Sequence, residues 1–557
     1  MLVRFLGTLR GTLVGAVLGG LGVSVAAAAC GKTNPAGSTN GTTTTPAAAV
    51  EEGPPTVRLY LLSTVAGALE PCGCSKDQLG GLDHLASFMA REKASAPNRL
   101  LLTAGPLLYL DPKPEASHAT QEAWKAETIA SAMGDMDLAA WAPGYNDFAE
   151  GIQGLAAHAN RAGAVLLADT VEGGTGRKLY RVGDVTVGVV GLSEPKGPMG
   201  ALPREGVTAA PTTPAAQTKA AVAALRAEGA QLLVVMAALP RGAALRIADR
   251  VPEVDVLVVG KPMSRGATNT PQPPPQMIGT TLVVETANHA QTVSVVDVFL
   301  SGDIDSGADL TLADGGGVAR AAKIVGLTRR INELRARITS WEQGGNVDPR
   351  DLAARKSDLA RIEAERARLE PEPPPPSGPY FRYRVEEVRE ELGVDEEVVA
   401  AMRQYYKRVN AHNKVALADL KPPEPGPDQA RYVGAEACGL CHAEPMAVWQ
   451  KTDHAKAYAT LQKGFKEYNL ECVGCHVTGY GKAGGSTVTH NADLQNVQCE
   501  TCHGPGSRHI QNPQDKSLIT LKPDPQGCVE ACHHPPHVEG FDPVAKMELV
   551  LGPGHGK

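Results

Sequence analysis

Between Val57 and Leu300, short apolar runs alternate with longer stretches whose apolar positions recur every three or four residues. The short runs predict strands at Val57–Ser63, Leu100–Thr103, Ala164–Ala168, Val185–Leu192, Gln231–Ala237, Val254–Gly260, Thr281–Glu285 and Thr292–Leu300. The longer stretches predict helices, for example over Gln121–Met136 and Thr213–Glu228. This alternation predicts an α/β domain over residues 56–302.

Past residue 302 the period changes. Ile324, Leu327, Ile331, Leu334, Ile338 and Trp341 fall at spacings of 3, 4, 3, 4 and 3, the seam of a coiled coil. Gly344-Gly345-Asn346 breaks the seam, Asp348-Pro349 restarts a helix, and Leu352, Leu359, Ile362 and Leu369 continue it. The simplest structure is a self-paired antiparallel hairpin over 318–370, within a connecting segment 303–377 that ends in a proline-rich linker. A dimerising or partner-docking coiled coil is the alternative. Residues 378–428 predict a small, mostly helical bridge, and residues 429–557 a final domain of helix and coil.

The first 30 residues read as an export signal: Arg4 and Arg10, an uncharged run from Gly11 to Ala29, then Cys30. Small residues before a cysteine resemble the bacterial lipoprotein cleavage box, which implies lipidation of Cys30 and a membrane anchor. Ala27 stands where that box usually has Leu. An ordinary cleaved signal or an uncleaved anchor would equally place the body outside the cytoplasm. Residues 31–55 have the Gly, Thr, Pro and Ala content of a flexible tether.

Composition adds exclusions. The 557 residues exceed one hydrophobic core, and a net charge of −7 with 4% aromatics gives no footprint for nucleic acid. Eight of the 11 cysteines follow residue 437, so the cysteine chemistry is local.

Those eight carry the chemistry. Cys438-Gly-Leu-Cys441-His442, Cys472-Val-Gly-Cys475-His476 and Cys499-Glu-Thr-Cys502-His503 repeat the pattern of covalent c-type haem attachment. Two thiols form thioethers to the haem, and the adjacent histidine binds iron as neutral imidazole. A stretched fourth copy, Cys528-Val-Glu-Ala-Cys532-His533, has three residues between its cysteines and a second histidine, His534. The expectation is four haem c groups, the fourth with altered attachment. Zinc ribbons and disulfides are the competing readings. A ribbon has no need of a histidine after every second cysteine.

Residues 432–557 resemble the tetrahaem cytochrome c family of the c-554 type. The carrying stretches are Tyr432–Glu436, Trp449–Tyr458, Thr478–Gly481, Asn496–His509, Pro535–His537 and Gly552–Gly556. The resemblance implies low-potential haems packed closely enough to exchange electrons. It favours His454 and His509 as distal iron ligands, with His537 and His555 as further candidates. His490 sits in a Gly/Thr/Asn-rich loop and is expected to be solvent-exposed.

The α/β segment resembles the calcineurin-like metallophosphatases, in their 5′-nucleotidase branch. Gly67–Cys74, Gly80–Leu82, Leu100–Gly105, Gly144–Phe148 and Val187–Leu192 carry the resemblance. The family's metal ligands are replaced: its Asp-x-His falls on Thr64-Val65-Ala66 and its bridging Asp on Pro106. Its Gly-Asn-His-Asp falls on Gly144-Tyr145-Asn146-Asp147, a later His near Ala238, and its Gly-His-x-His on Gly260–Met263. This implies a fold without its two-metal chemistry. Cys72 and Cys74 are read as structuring a turn.

The expected function is electron transfer by an exported multihaem cytochrome with redox partner proteins. The phosphatase-like domain would be an inactive scaffold. The alternatives are a multihaem reductase of a small nitrogen or sulfur oxide at an open haem, and a 5′-nucleotidase-type hydrolase.

Overall fold

The computed structural model describes residues 53–555 apart from 72–77, 172–173, 195, 197–206, 209–211, 265–266, 268, 301–311, 345–346, 370–374, 376, 535–537 and 539–540. Cys30, Cys72, Cys74 and His537 therefore lie outside the described residues.

The first sheet contains β1 (Val57–Ser63), β2 (Arg99–Gly105), β3 (Leu138–Pro143) and β4 (Val165–Leu166). The second contains β5 (Arg177–Val182), β6 (Val185–Ser193), β7 (Leu232–Ala238), β8 (Val256–Val259), β9 (Gln276–Ile278) and β10 (Thr281–Val284). The chain then returns to the first sheet with β11 (Thr292–Phe299), β12 (Ala313–Asp314) and β13 (Tyr380–Glu387). The orders are β12-β13-β11-β1-β2-β3-β4 and β5-β6-β7-β8-β10-β9.

Side-chain alternation builds the layers. In β1 and β2, Leu59 lies opposite Leu100 and Leu61 opposite Leu102. These four join Val187, Val189, Leu232, Val234 and Met236 in the core between the sheets. Tyr60, Leu62 and Leu101 point the other way, into the helices α1 (Leu82–Ser95), α2 (Ala119–Asp135) and α3 (Gly151–Arg161). The second sheet's outer face is covered by α4 (Pro214–Ala227) and α5 (Arg241–Arg250). The result is an α/β sandwich of two sheets between helical layers, as the alternation predicts. Glycines let the strand ends meet: a Cβ on Gly260 would lie 2.3 Å from the Ala104 backbone.

The hairpin is present as α6 (Gly317–Gly344) and α7 (Pro349–Ala367), with Asp348 capping α7 and Pro349 at its first position. Ile331, Ile338 and Ile362 are buried between the arms. Arg335–Glu363 and Lys356–Glu342 bridge them at the surface.

Residues 378–428 depart from the expected helical bridge. Tyr380–Glu387 is a strand, paired antiparallel with β11 along its whole length. Phe381 and Tyr383 alternate inward while Arg382 and Arg384 alternate outward. The α/β sandwich is therefore closed by chain beyond the hairpin, and the hairpin is an excursion from it. Helix α8 (Glu396–Ala416) then packs on α1 and α2 through Val398, Met402, Tyr405 and Val409.

The last region consists of short helices joined by coil: α9 (Ala435–Gly439), α10 (Ala443–Trp449), α11 (Ala457–Lys463), α12 (Val473–His476), α13 (Cys499–His503), α14 (Ser507–Gln511), α15 (Gln526–Ala531) and α16 (Pro543–Met547). Its core is small: Tyr458, Leu461, Val473, Val477 and Val488. Among the described residues no helix is long and apolar enough to cross a membrane.

Candidate functional site

Each cysteine pair sits on about one turn of helix, which places positions three or four apart on one side. In the first box the Cys441 and His442 amides both donate to the Cys438 carbonyl, at 3.2 and 2.9 Å. The stretched fourth box uses the same device: Cys532 and His533 donate to the Cys528 carbonyl, at 3.2 and 2.9 Å. The turn closes over four and five residues instead of three and four, which absorbs the extra residue.

The fold brings distant histidines close together. His442 and His509 have ring centres 6.4 Å apart, and His454 and His533 have theirs 6.2 Å apart. Metal–imidazole bonds of about 2 Å, with each ring centre about 1 Å further back, give ring centres about 6 Å apart across one ion. Both pairs fit that spacing. His509 thus lies opposite the first box and His454 opposite the fourth. His533, not His534, is the histidine that faces His454, and its ring stacks on Phe541 at 4.1 Å.

The other two box histidines are oriented by backbone. Nδ1 of His476 lies 2.6 Å from the Ala457 carbonyl, and Nδ1 of His503 lies 2.6 Å from that of Thr520. Each carbonyl requires a proton on Nδ1, which leaves the Nε2 lone pair for a metal. Burial lowers the affinity of His454, His476 and His533 for a second proton, favouring the neutral ligand form. His555 is shifted the same way, by burial and then by His503 and His442, so it lies near two box histidines. Among the described residues no histidine ring faces His476. His490, expected in solvent, is half-buried, with Nδ1 3.1 Å from the Thr489 hydroxyl.

The region suits a large apolar cofactor. Leu440, Ile510, Leu521, Val544 and Leu549, all in the region that carries the boxes, are exposed hydrophobics. His509 and His555 bury Nδ1 atoms with no protein partner. Among the described residues no three His, Cys, Asp or Glu side chains converge on a metal position, and the eight box cysteines are free thiols. The donors thus come together as histidine pairs beside cysteine pairs, the set that haem c uses.

Boxes also touch one another. The Cys438 thiol lies beside that of Cys499, and the Cys475 thiol beside that of Cys532. The first and third boxes are neighbours, as are the second and fourth. Glu500, buried inside the third box, accepts amides from Val433 (3.0 Å), Gly434 (2.8 Å) and Gly506 (2.7 Å). It ties the lead-in of the first box to the third. Gln498 adds a 2.6 Å bond from the Ala435 amide. Sequence reasoning missed both residues: a carboxylate between two haem-box cysteines gives no sign of what it binds.

The second box is held from outside its region. Gln121 on α2 donates to Asn469 Oδ1 (3.2 Å) and accepts the Leu470 amide (3.0 Å). Asn413 on α8 donates to the Tyr468 carbonyl at 2.9 Å. Lys125 on α2 pairs with Glu122 (2.9 Å) and with Glu471 (2.7 Å), the residue before Cys472.

At the positions of the phosphatase resemblance, protein groups satisfy one another. The Thr64 hydroxyl donates to the Lys261 carbonyl, and the Asn146 amide donates to the carbonyls of Tyr109, Leu110 and Met263. Asp147 is buried and accepts amides from Leu107, Leu108 and Gly144. Buried Glu285 pairs with Arg241 and Lys261. Thr64 and Ala66 hold left-handed backbone at φ 54° and 50°. His84, His158 and His289 are buried with ordinary partners, Gly393, Glu150 and Asn269.

The structure therefore joins two classes of unit: an α/β sandwich and a helix-and-coil region built around c-type haem boxes. Residues 437–504 match the family model described as "Cytochrome c554 and c-prime". Cytochrome c-554 of Nitrosomonas europaea is 35% identical over 104 residues, covering 16% of this chain and 44% of that protein. The chain thus spans less than half the length of this curated relative. Both findings support haem c binding in the C-terminal region. Among solved structures, a 5′-nucleotidase precursor from Thermus thermophilus is similar at 17% identity. The similarity covers 64% of this chain and 59% of that one, with a TM-score of 0.43. A calcineurin-like phosphoesterase, YfkN, from Bacillus subtilis is similar at 16% identity over 45% of this chain and 86% of that one, with a TM-score of 0.36.

Proposed function

We propose that this chain is an exported c-type cytochrome that passes electrons among four covalently attached haems. The attachment residues are Cys438/Cys441, Cys472/Cys475, Cys499/Cys502 and Cys528/Cys532, with His442, His476, His503 and His533 as proximal ligands. The observation that carries the reading is the pair of facing histidine rings 6.4 and 6.2 Å apart, each joining one box to a distant histidine. Bound haem supplies a one-electron couple at the iron. The chain's own part is to hold neutral imidazoles, fix their tautomers through Ala457 and Thr520, and pack the boxes in pairs. Two imidazoles on one iron favour electron transfer over ligand binding. His454 and His509 serve as distal ligands, with His555 and His537 as candidates for the remaining positions. Redox partner proteins would exchange electrons with the haems.

The α/β sandwich serves as a scaffold without hydrolytic activity. The hydrogen-bonded carbonyls and amides around Thr64, Asn146 and Asp147 support this, since among the described residues no cluster of anionic or imidazole donors converges there. Export and periplasmic or cell-surface location follow from the first 30 residues, with lipidation at Cys30 tethering the protein to a membrane.

A second reading has one observation in its favour. No histidine ring among the described residues faces His476, so its haem would have room for a small nitrogen or sulfur oxide.

The test is intact mass with a haem stain, on protein from a host that matures c-type cytochromes. Four added haems support the reading; three would leave the Cys528/Cys532 box unused; none, with zinc instead, would overturn it. A Soret shift when CO is added to reduced protein would favour the open-haem reading. Metal-dependent phosphate release from nucleotides would overturn the scaffold assignment.

A further inference from the structure

The second haem box is joined to the α/β sandwich by hydrogen bonds, and the contact surface contains charge. Lys125 and Glu122, one helical turn apart on α2, are both nearly fully buried. Lys125 reaches Glu122 at 2.9 Å and Glu471 at 2.7 Å. Two carboxylates thus share one ammonium, which leaves one negative charge in surplus in a largely dry place.

Other titratable groups face the pair from neighbouring elements. Tyr405 on α8 faces the cluster with a buried hydroxyl that has no partner. Tyr109, in the loop after β2, acts on Glu122 from the sandwich side. His118, at the start of α2, acts on Glu471. Burial raises Glu122 to about 7, whereas Lys125 helps hold Glu471 below the usual glutamate range. Glu122 is the more deeply buried of the two carboxylates, so its ionisation is the more costly. Glu471 keeps its side chain 37% exposed and so links the buried pair to water.

The cluster lies against the attachment site. Glu471 directly precedes Cys472, and its charge helps to raise the Cys472 thiol to about 12, second to burial; Lys125 acts in the opposite direction. A charge change at Glu122 is placed to be felt where the second haem is joined to the chain.

We propose that Glu122 is a proton-binding site coupled to the redox state of the haem attached at Cys472 and Cys475. This rests on the cytochrome reading above. When that haem gains one electron from a neighbouring haem, Glu122 gains one proton from water by way of Glu471. An O–H bond forms on the Glu122 carboxyl, and no other covalent bond changes. The sign follows from charge: ionised Glu122 favours the ferric state and lowers the potential, and protonated Glu122 raises it. By linkage, reduction must tighten proton binding by the same factor. The α/β sandwich thereby contributes a functional group to the cytochrome region.

The experiment uses the full, haem-loaded chain, with haem content checked by intact mass. Redox titrations between pH 6 and 8 should show one haem whose midpoint falls as pH rises. The expected fall is about tenfold in its equilibrium constant, which is about 59 mV for one electron. Glu122→Gln should flatten that haem at the high-potential limit and leave the others unmoved. Proton uptake on dithionite reduction, read with an indicator dye in weak buffer, should fall in the same variant. Glu122→Asp should restore part of both effects. Unchanged slope and uptake in a fully loaded Glu122→Gln protein would overturn the proposal alone. Absence of haem from the second box alone would overturn the proposal, and absence of haem from all four boxes would overturn the cytochrome reading with it.

Discussion

Glu500 makes the most stringent test of how the boxes are held together. It is 1% exposed, and its two oxygens accept the amides of Val433, Gly434 and Gly506. Glu500→Ala strands three buried donors. Each costs about 1–3 kcal/mol when left without a partner. Neighbouring losses do not add fully, so the expected total is about 3 kcal/mol or more. Glu500→Gln keeps one oxygen. If that oxygen stays at Oε1, it retains Val433 and Gly506 and turns an amide nitrogen towards the Gly434 N–H, for a cost of about 1–3 kcal/mol. The order is therefore wild type, Gln, Ala. Denaturant unfolding of the haem-loaded chain, followed through the Soret circular dichroism, gives the stabilities. Hydrogen exchange at Val433, Gly434 and Gly506 shows whether the loss is local. Glu500→Ala within about 0.5 kcal/mol of wild type, with those amides still protected, would refute the clamp.

Three further outcomes are expected. His509→Ala and His454→Ala should each convert one haem from six- to five-coordinate, read as a high-spin signal and new CO binding in the reduced protein; unchanged spectra would remove these residues as ligands. Asp147→Asn should destabilise the sandwich by about 1–3 kcal/mol, because an amide cannot accept from Gly144, Leu107 and Leu108 with both its atoms; calorimetry measures the loss, and no loss would mean those amides find other partners. Ile331→Ala, at a fully buried seam position, should cost about 2–4 kcal/mol and speed proteolysis within the hairpin while the haem spectrum stays unchanged.

Legibility in the sequence follows burial. Val57–Ser63 is an apolar run and is legible to the residue, because a strand buried on both faces has little else to be. Leu138–Pro143 is hidden in the sequence although it is an interior strand: Leu-Ala-Ala-Trp-Ala-Pro is alanine-rich, and alanine favours no strand. Tyr380–Glu387 carries a period-two pattern, but its charged outer face and the prolines before it suggest a connector. The haem boxes are local and can be read directly. Their partners are not local: His442 meets His509 and His454 meets His533 only once the chain has folded, and here the c-554 resemblance supplies what spacing alone does not. Lys125 and Glu122 look like an ordinary surface pair on an amphipathic helix. Only tertiary packing against Glu471 gives them a role.

The late return of β13 changes where this chain can be divided. A fragment ending near residue 302 would have every strand that the apolar pattern announces. It would nevertheless leave β11 with a full row of unpaired amides and carbonyls, the row that Tyr380–Glu387 covers in the intact fold. An open edge of that kind recruits strands from other molecules. Such a truncation would lead to aggregation, not to a free-standing sandwich. The natural seam for dissection lies after α8, so the outer hairpin and the eight-residue strand beyond it travel with the sandwich as one heritable piece.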